Sequence, residues 1–175
     1  MGDCYVPLWD VPPNVRALQT TRNGGVSSAP WETFNLGDHV GDAPAAVAAN
    51  RQGLRHRLPD DPAWLTQVHG ALAVDVDCGP KIRAADAAYA RRPGKVCAVL
   101  TADCLPVLFC DRRGSVVAAA HAGWRGLLAG VLGSAVAAMK ADAGDILAWL
   151  GPAIGPQCFE VGGEVRDAFI ATDPV

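Results

Sequence analysis

The chain has 175 residues, of which half are hydrophobic and 19% charged, and its formal net charge is -3. That is enough apolar material for one sizeable core, and too little charge for a disordered chain. With a pI near 5.7 and no basic run, nucleic acid and anionic membranes are excluded as main partners. The start, Met1-Gly2-Asp3-Cys4-Tyr5-Val6-Pro7, lacks the layout of a signal peptide, and no apolar stretch approaches a membrane span. Six cysteines, Cys4, Cys78, Cys97, Cys104, Cys110 and Cys158, are scattered without a CxxC spacing. That pattern predicts reduced thiols and a cytoplasmic protein, with Cys78, Cys97 and Cys110 as core filler.

No repeat or linker interrupts the chain, so residues 1–175 are read as a single domain. A short strand ends in the glycine turn after Thr20, and a loop covers Asn35 to Asp42. Asp42 to Leu58 reads as a helix with Pro44 in its first turn and Val47, Leu54 and Leu58 in its apolar set. Strands are expected at Ala63–Val68, Ala73–Val76, Lys95–Leu100, Leu105–Cys110, Ser115–Ala120 and Ile146–Leu150, with Asp86 in a short loop or strand. A helix is expected from Leu127 to Lys140, with Leu128, Leu132, Val136 and Met139 on one stripe. The elements mix without a regular βαβ alternation, which predicts a layered α+β fold.

Three residues at the ends of apolar runs stand out: His69 in TQVHG, Cys104 in TADCLP and His121 in AHAGWRG. Two imidazoles and a thiolate suit zinc, with a fourth position left for water or substrate. If Arg112-Arg113 form a two-residue hairpin loop, Asp111 faces Gly114 and Cys104 faces His121 on one side of the hairpin. A bulge at Gly114 would alter that pairing. His69 comes from a separate strand end, so its convergence does not follow from spacing. A partly buried histidine and an inert cysteine are the simpler alternative, and His39 and His56, with no partner cysteine, are read that way.

The glycines flanking Trp124 and Arg125, with a helix beginning beyond them, suggest an anion subsite in which Arg125 supplies a fork of donors. An exposed Arg125 beside a core Trp124 is the alternative. Asp103, next to the thiolate, would orient a histidine or simply cap a turn.

The segments TTRNGGVS (20–27), NLGDHVGD (35–42), TQVHG (66–70), TADCLPVLFCD (101–111), AHAGWRGLLAGVL (120–132) and GPAIGPQCFEVG (151–162) resemble one family in the expected order. These are the multicopper polyphenol oxidase or laccase-like proteins, now viewed as purine nucleoside phosphorylases. The resemblance implies a layered α-β-β-α sandwich with mixed β-sheets, similar to the Cys-hydrolase-like fold of cytotoxic necrotizing toxin catalytic domains. It implies a zinc held by His69, Cys104 and His121. Arg22, Asn35 and Arg125 fall inside the matching motifs and are the candidate phosphate and ribose contacts. Asp103, beside the thiolate, is expected to support the zinc in catalysis.

The implied activity is phosphorolysis of adenosine, inosine and methylthioadenosine to free base and a ribose 1-phosphate type product, with adenosine deamination beside it. The partners are then a purine nucleoside and phosphate, with the protein a monomer or homodimer. Family members usually continue for several tens of residues past the position of Val175, so a C-terminal segment is expected to be lacking.

Three rivals accompany this reading. Cys104 activated by His121 would make a thiol hydrolase. Copper would make a polyphenol oxidase-like protein, but four histidines are too few for a multicopper centre, leaving copper as an alternative single occupant. A non-catalytic zinc- or nucleoside-binding fragment is the third, although structural zinc sites are usually closed by four protein ligands.

Overall fold

Pairing of apolar strands organises the chain around one five-stranded sheet in the computed structural model, which describes residues 2–77 and 84–172. In chain order the elements are β1 (Cys4–Tyr5), β2 (Gln19–Thr20), α1 (Pro44–Arg55), β3 (Ala73–Asp75), β4 (Ala87–Ala90), β5 (Leu105–Asp111) and β6 (Val117–Ala122). They continue with α2 (Trp124–Leu128), α3 (Val131–Met139), β7 (Ile146–Leu150) and α4 (Gly163–Thr172). Strands β1 and β2 form a small antiparallel sheet, and the large sheet has the order β3-β4-β6-β5-β7. Only β3 and β4 run parallel, so the sheet is mixed and the fold is α+β.

Both faces of the large sheet are covered. On one, Val107, Phe109, Ala118, Ala120 and Ala122 pack against Val131, Ala135 and Met139 of α3. The small side chains of β4 and β6 admit a close helix. On the other, Val74, Ala88 and Ala90 pack against Leu65 and Ala85, with Ala63 and Cys97 beside them. Helix α1 begins at Pro44, where a missing N–H costs nothing, and its Leu54 closes a third cluster with Phe34 and Leu36, flanked by Leu58 and Trp64.

Several expected elements differ. The Lys95–Leu100 run forms no strand; it makes one bridge, Cys97 to Ala63. At its end the backbone of Leu100 is satisfied by a side chain: the Gln67 amide donates to Leu100 O at 2.7 Å and its oxygen accepts from Leu100 N at 2.6 Å. The Ala63–Val68 run is likewise reduced to bridges at Ala63 and Thr66. The expected helix over Leu127–Lys140 is two helices, broken where Gly130 takes a left-handed φ of 85°. That break resets the register, so the buried line is Val131, Ala135 and Met139, with Leu132 and Val136 only partly buried beside it.

The β5–β6 hairpin also departs from the expected two-residue loop. Its loop is four residues, Arg112 to Ser115, because the Asp111 carboxylate gathers Ser115 N at 2.6 Å, Ser115 Oγ at 2.6 Å and Val116 N at 3.2 Å. Burial pushes this carboxyl up, but those hydrogen bonds and Arg113 together hold it below the ordinary 3.8. Its contribution to stability is therefore full above that ordinary value and lost as the pH falls through the lowered one. Asp111→Asn is expected to be less stable than the parent at neutral pH and to converge on it in acid, measured by urea unfolding at both pH values.

Cys110 is wholly buried and its thiol is pushed up to about 11, while burial of the Cys97 sulfur, which faces Val117 O at 3.9 Å, pushes that thiol up to about 12. Both are inert core thiols. Cys78 lies outside the described residues, as do the last three positions of the chain. Among the described residues no helix is long and apolar enough to cross a membrane.

Candidate metal centre

Strand register brings the site together at the end of the sheet where β3, β4 and β5 begin and β6 ends. His121 on β6 pairs with Pro106 on β5, two residues away from the expected partner Cys104. A shift of two preserves the side-chain face, so Cys104 still lies on His121's side, diagonal to it. On the other flank, Ala87 pairs with Ala120, and the next step joins His121 N to Asp86 O at 2.7 Å. Asp86 and His121 therefore face the same way, and Asp86 Oδ1 lies 2.8 Å from His121 Nδ1. Asp86 is 0% and His121 4% exposed.

The third residue arrives by a turn. Before β3 the chain folds back over Asp86, whose carboxylate accepts three successive backbone N–H groups: Val68 at 3.1 Å, His69 at 2.9 Å and Gly70 at 2.8 Å. His69 has a left-handed φ of 58° in this turn, a conformation uncommon outside glycine though less so for histidine. Its ring meets that of His121 edge-on, with centroids 4.8 Å apart, and its Nε2 lies 4.0 Å from Cys104 Sγ. The donor atoms of His69, Cys104 and His121 all lie within 4.8 Å of one another, and no other such group occurs among the described residues.

Gly123 keeps the space open. A methyl group there would stand 2.8 Å from Cys104 Sγ and 3.0 Å from His69 Cδ2. Burial, then the charges of Asp103 and Asp86, push the Cys104 thiol up. Burial also pushes the Asp86 carboxyl up, but the hydrogen bonds from His121 and the 68–70 turn together outweigh it and hold Asp86 ionised, below the ordinary carboxylate range.

The donor set fits a metal such as zinc. Tetrahedral bonds of about 2.0–2.3 Å place ligand atoms roughly 3.3–3.6 Å apart, and the observed separations need only a small closure. With Nδ1 of His121 committed to Asp86, Nε2 is the nitrogen left to bind. Neither His39, paired with Asp38 at 3.7 Å, nor His56, which caps α1, joins the group.

The remaining expected residues are placed differently. The carboxylate hydrogen-bonded to a site histidine is Asp86 and not Asp103, whose side chain is exposed and whose carbonyl accepts from Ile154 N at 2.9 Å. Asn35 braces its own loop: its amide donates to Gly37 O at 3.0 Å and Asp42 Oδ2 at 2.9 Å, and its oxygen accepts from Gly37 N. Arg22 is exposed beside Glu32, with 3.9 Å between their charged ends. Arg125 is exposed and stacks on the Trp124 ring at 4.2 Å. It follows Gly123 closely, but α2 has only five residues, too few for a strong helix-terminus field. Asp86 was the residue to find. A lone aspartate within the alanines at 84–88 is a buried charge, and buried carboxylates are paired.

The fold and site together define a mixed α+β protein with a three-donor centre at one sheet end. Residues 16–175 match the family described as multi-copper polyphenol oxidoreductase laccase, and the chain belongs to that family. It is 57% identical to the purine nucleoside phosphorylase PA4543 of Pseudomonas aeruginosa, over 98% of this chain and 70% of that protein. It is 54% identical to the purine nucleoside phosphorylase YfiH of Escherichia coli, over 99% of this chain and 72% of that one. Among solved structures, Neisseria meningitidis NMB0706 superposes with a TM-score of 0.92 at 48% identity, covering 98% of this chain and 71% of the other.

Proposed function

We propose that the protein is a zinc-dependent purine nucleoside phosphorylase, cleaving adenosine, inosine or methylthioadenosine with phosphate, and with adenosine deamination as a side activity. The observation that carries this reading is the convergence of His69, Cys104 and His121 donors within 4.8 Å, in a chain 57% identical to a protein named as a purine nucleoside phosphorylase. Residues 1–175 form a single catalytic domain in this reading, of the layered sandwich kind with a Cys-hydrolase-like arrangement, acting in the cytoplasm. The free thiols of Cys4, Cys97, Cys104, Cys110 and Cys158 accord with that compartment.

His69 Nε2, His121 Nε2 and Cys104 Sγ would hold the zinc. When bound, it supplies Lewis-acid polarisation of a water or substrate oxygen at the open position. Arg125, close in sequence to His121 and without an acidic partner among the described residues, holds phosphate against the anomeric carbon. Arg22 adds a second positive charge after leaving its exposed, loosely paired Glu32, and Asn35 contacts the ribose. Asp103, at the exposed rim beside Cys104, supports the catalytic group. In the reaction a phosphate oxygen bonds to C1′ as the C1′–N9 bond breaks, and the departing base takes a proton. Holding the two reactants together supplies much of the effect.

The Cys104–His121 thiol hydrolase has less support. Such a nucleophile needs an accessible thiolate, whereas burial and two nearby carboxylates push this thiol up. Incubation of the purified chain with adenosine tests the proposal, with chromatography of the products. Free adenine and a ribose phosphate forming only when phosphate is present are expected. Saturable nucleoside binding with no turnover under zinc-replete conditions would contradict it and favour a binding role.

A further inference from the structure

We infer that Asp86 is the positioning residue of the metal centre: one buried carboxylate sets the ring nitrogen that His121 turns to the metal and locks the turn that presents His69. The inference rests on the reading of His69, Cys104 and His121 as metal ligands. It goes beyond that reading by assigning the alignment of both histidines to one further side chain.

The geometry divides the work between the two oxygens. Asp86 Oδ1 accepts from His121 Nδ1 at 2.8 Å and from His69 N at 2.9 Å. Asp86 Oδ2 accepts from Val68 N at 3.1 Å and Gly70 N at 2.8 Å. Both oxygens already accept backbone N–H groups, so the carboxylate faces the ring as an acceptor and the imidazole nitrogen at Oδ1 carries the proton. That fixes His121 as the Nδ1–H tautomer, with the Nε2 lone pair pointing into the space shared with Cys104 and His69. The same carboxylate holds His69 at its φ of 58° by engaging the N–H groups on both sides of it. Ladder pairing aims Asp86 in turn, since β4 is bonded to β3 on one side and to β6 on the other.

Asparagine cannot replace this group. With its oxygen toward Val68 and Gly70, its NH₂ meets His121 Nδ1 and drives the proton to Nε2, the nitrogen needed for the metal. With its oxygen toward His121, its NH₂ meets two backbone N–H donors and the turn opens. Both arrangements weaken the centre without removing a ligand, and loss of such supporting hydrogen bonds costs about 10–100-fold in metal affinity.

The test has two arms on the full chain. In the first, zinc affinity is measured for the parent and Asp86→Asn by competition with a chromophoric chelator, and the cobalt(II) forms are compared by visible absorption. In the second, long-range nitrogen–proton correlation on the zinc-loaded parent locates the proton of His121. We expect zinc affinity about 10–100-fold weaker in the variant, altered cobalt bands, and the His121 proton on Nδ1. A folded variant with the parent's affinity and bands would overturn the inference, as would a His121 proton on Nε2. The second arm decides the matter even if the variant fails to fold. A parent that takes up neither metal overturns the ligand reading, and this role with it.

Discussion

His121→Ala is expected to lose zinc binding and phosphorolysis together, and to lose stability as well. The ring supplies one of three donors, and it also pairs with Asp86 at 2.8 Å inside a fully buried contact. Removing it leaves a buried carboxylate with only its three backbone donors, a deficit of about 1–3 kcal/mol. His69→Ala should separate the two effects, because His69 is exposed and its backbone N–H still reaches Asp86. Zinc affinity and turnover should fall as far as in His121→Ala, with a smaller change in urea midpoint. Retained turnover in a metal-free His121→Ala protein would sink the zinc mechanism.

The second large effect is expected from a residue with no side chain. Gly123 has φ -66° and ψ 161°, angles open to alanine, so Gly123→Ala imposes no backbone strain. The added methyl would nevertheless meet Cys104 Sγ at 2.8 Å and His69 Cδ2 at 3.0 Å. Both are donor side chains of the candidate centre on short stems, and they can yield only by moving apart. A fall of zinc affinity of about 10-fold or more is expected, comparable to disturbing a ligand's support, with the unfolding midpoint nearly unchanged. Equal affinity of variant and parent, measured by chelator competition, would show that the donors close in some other way.

How legible these features were depended on where their causes lie. Strand β7 matched its expected span, Ile146–Leu150, because an apolar run bounded by turn residues pairs along its length. Helix α1 followed from Pro44 and the spacing of Val47 and Leu54, but it ends at Arg55, short of the expected Leu58. Strand β4, with the sequence Ala-Ala-Tyr-Ala, carried little strand signal, since it has no β-branched residue; it is a strand because β3 and β6 pair with it on both sides. The Lys95–Leu100 run misled for the converse reason. Its apolar residues are half-buried, but at Leu100 the Gln67 side chain takes the hydrogen bonds that a neighbouring strand would have taken.

The centre itself was readable as three donors, and a two-residue error in hairpin register did not move Cys104 off His121's face. Asp86 was not assigned because its role depends on the ladder that places it opposite His121. The convergence of His69 depends in turn on the fold of the 68–70 turn over Asp86. Neither relation is local in sequence.

Metal content of the purified chain, by mass spectrometry beside His69→Ala, tests the central claim most directly. A three-donor open site predicts about one zinc per parent chain and next to none in the variant. A parent without metal, or a variant that keeps the full complement, would contradict it.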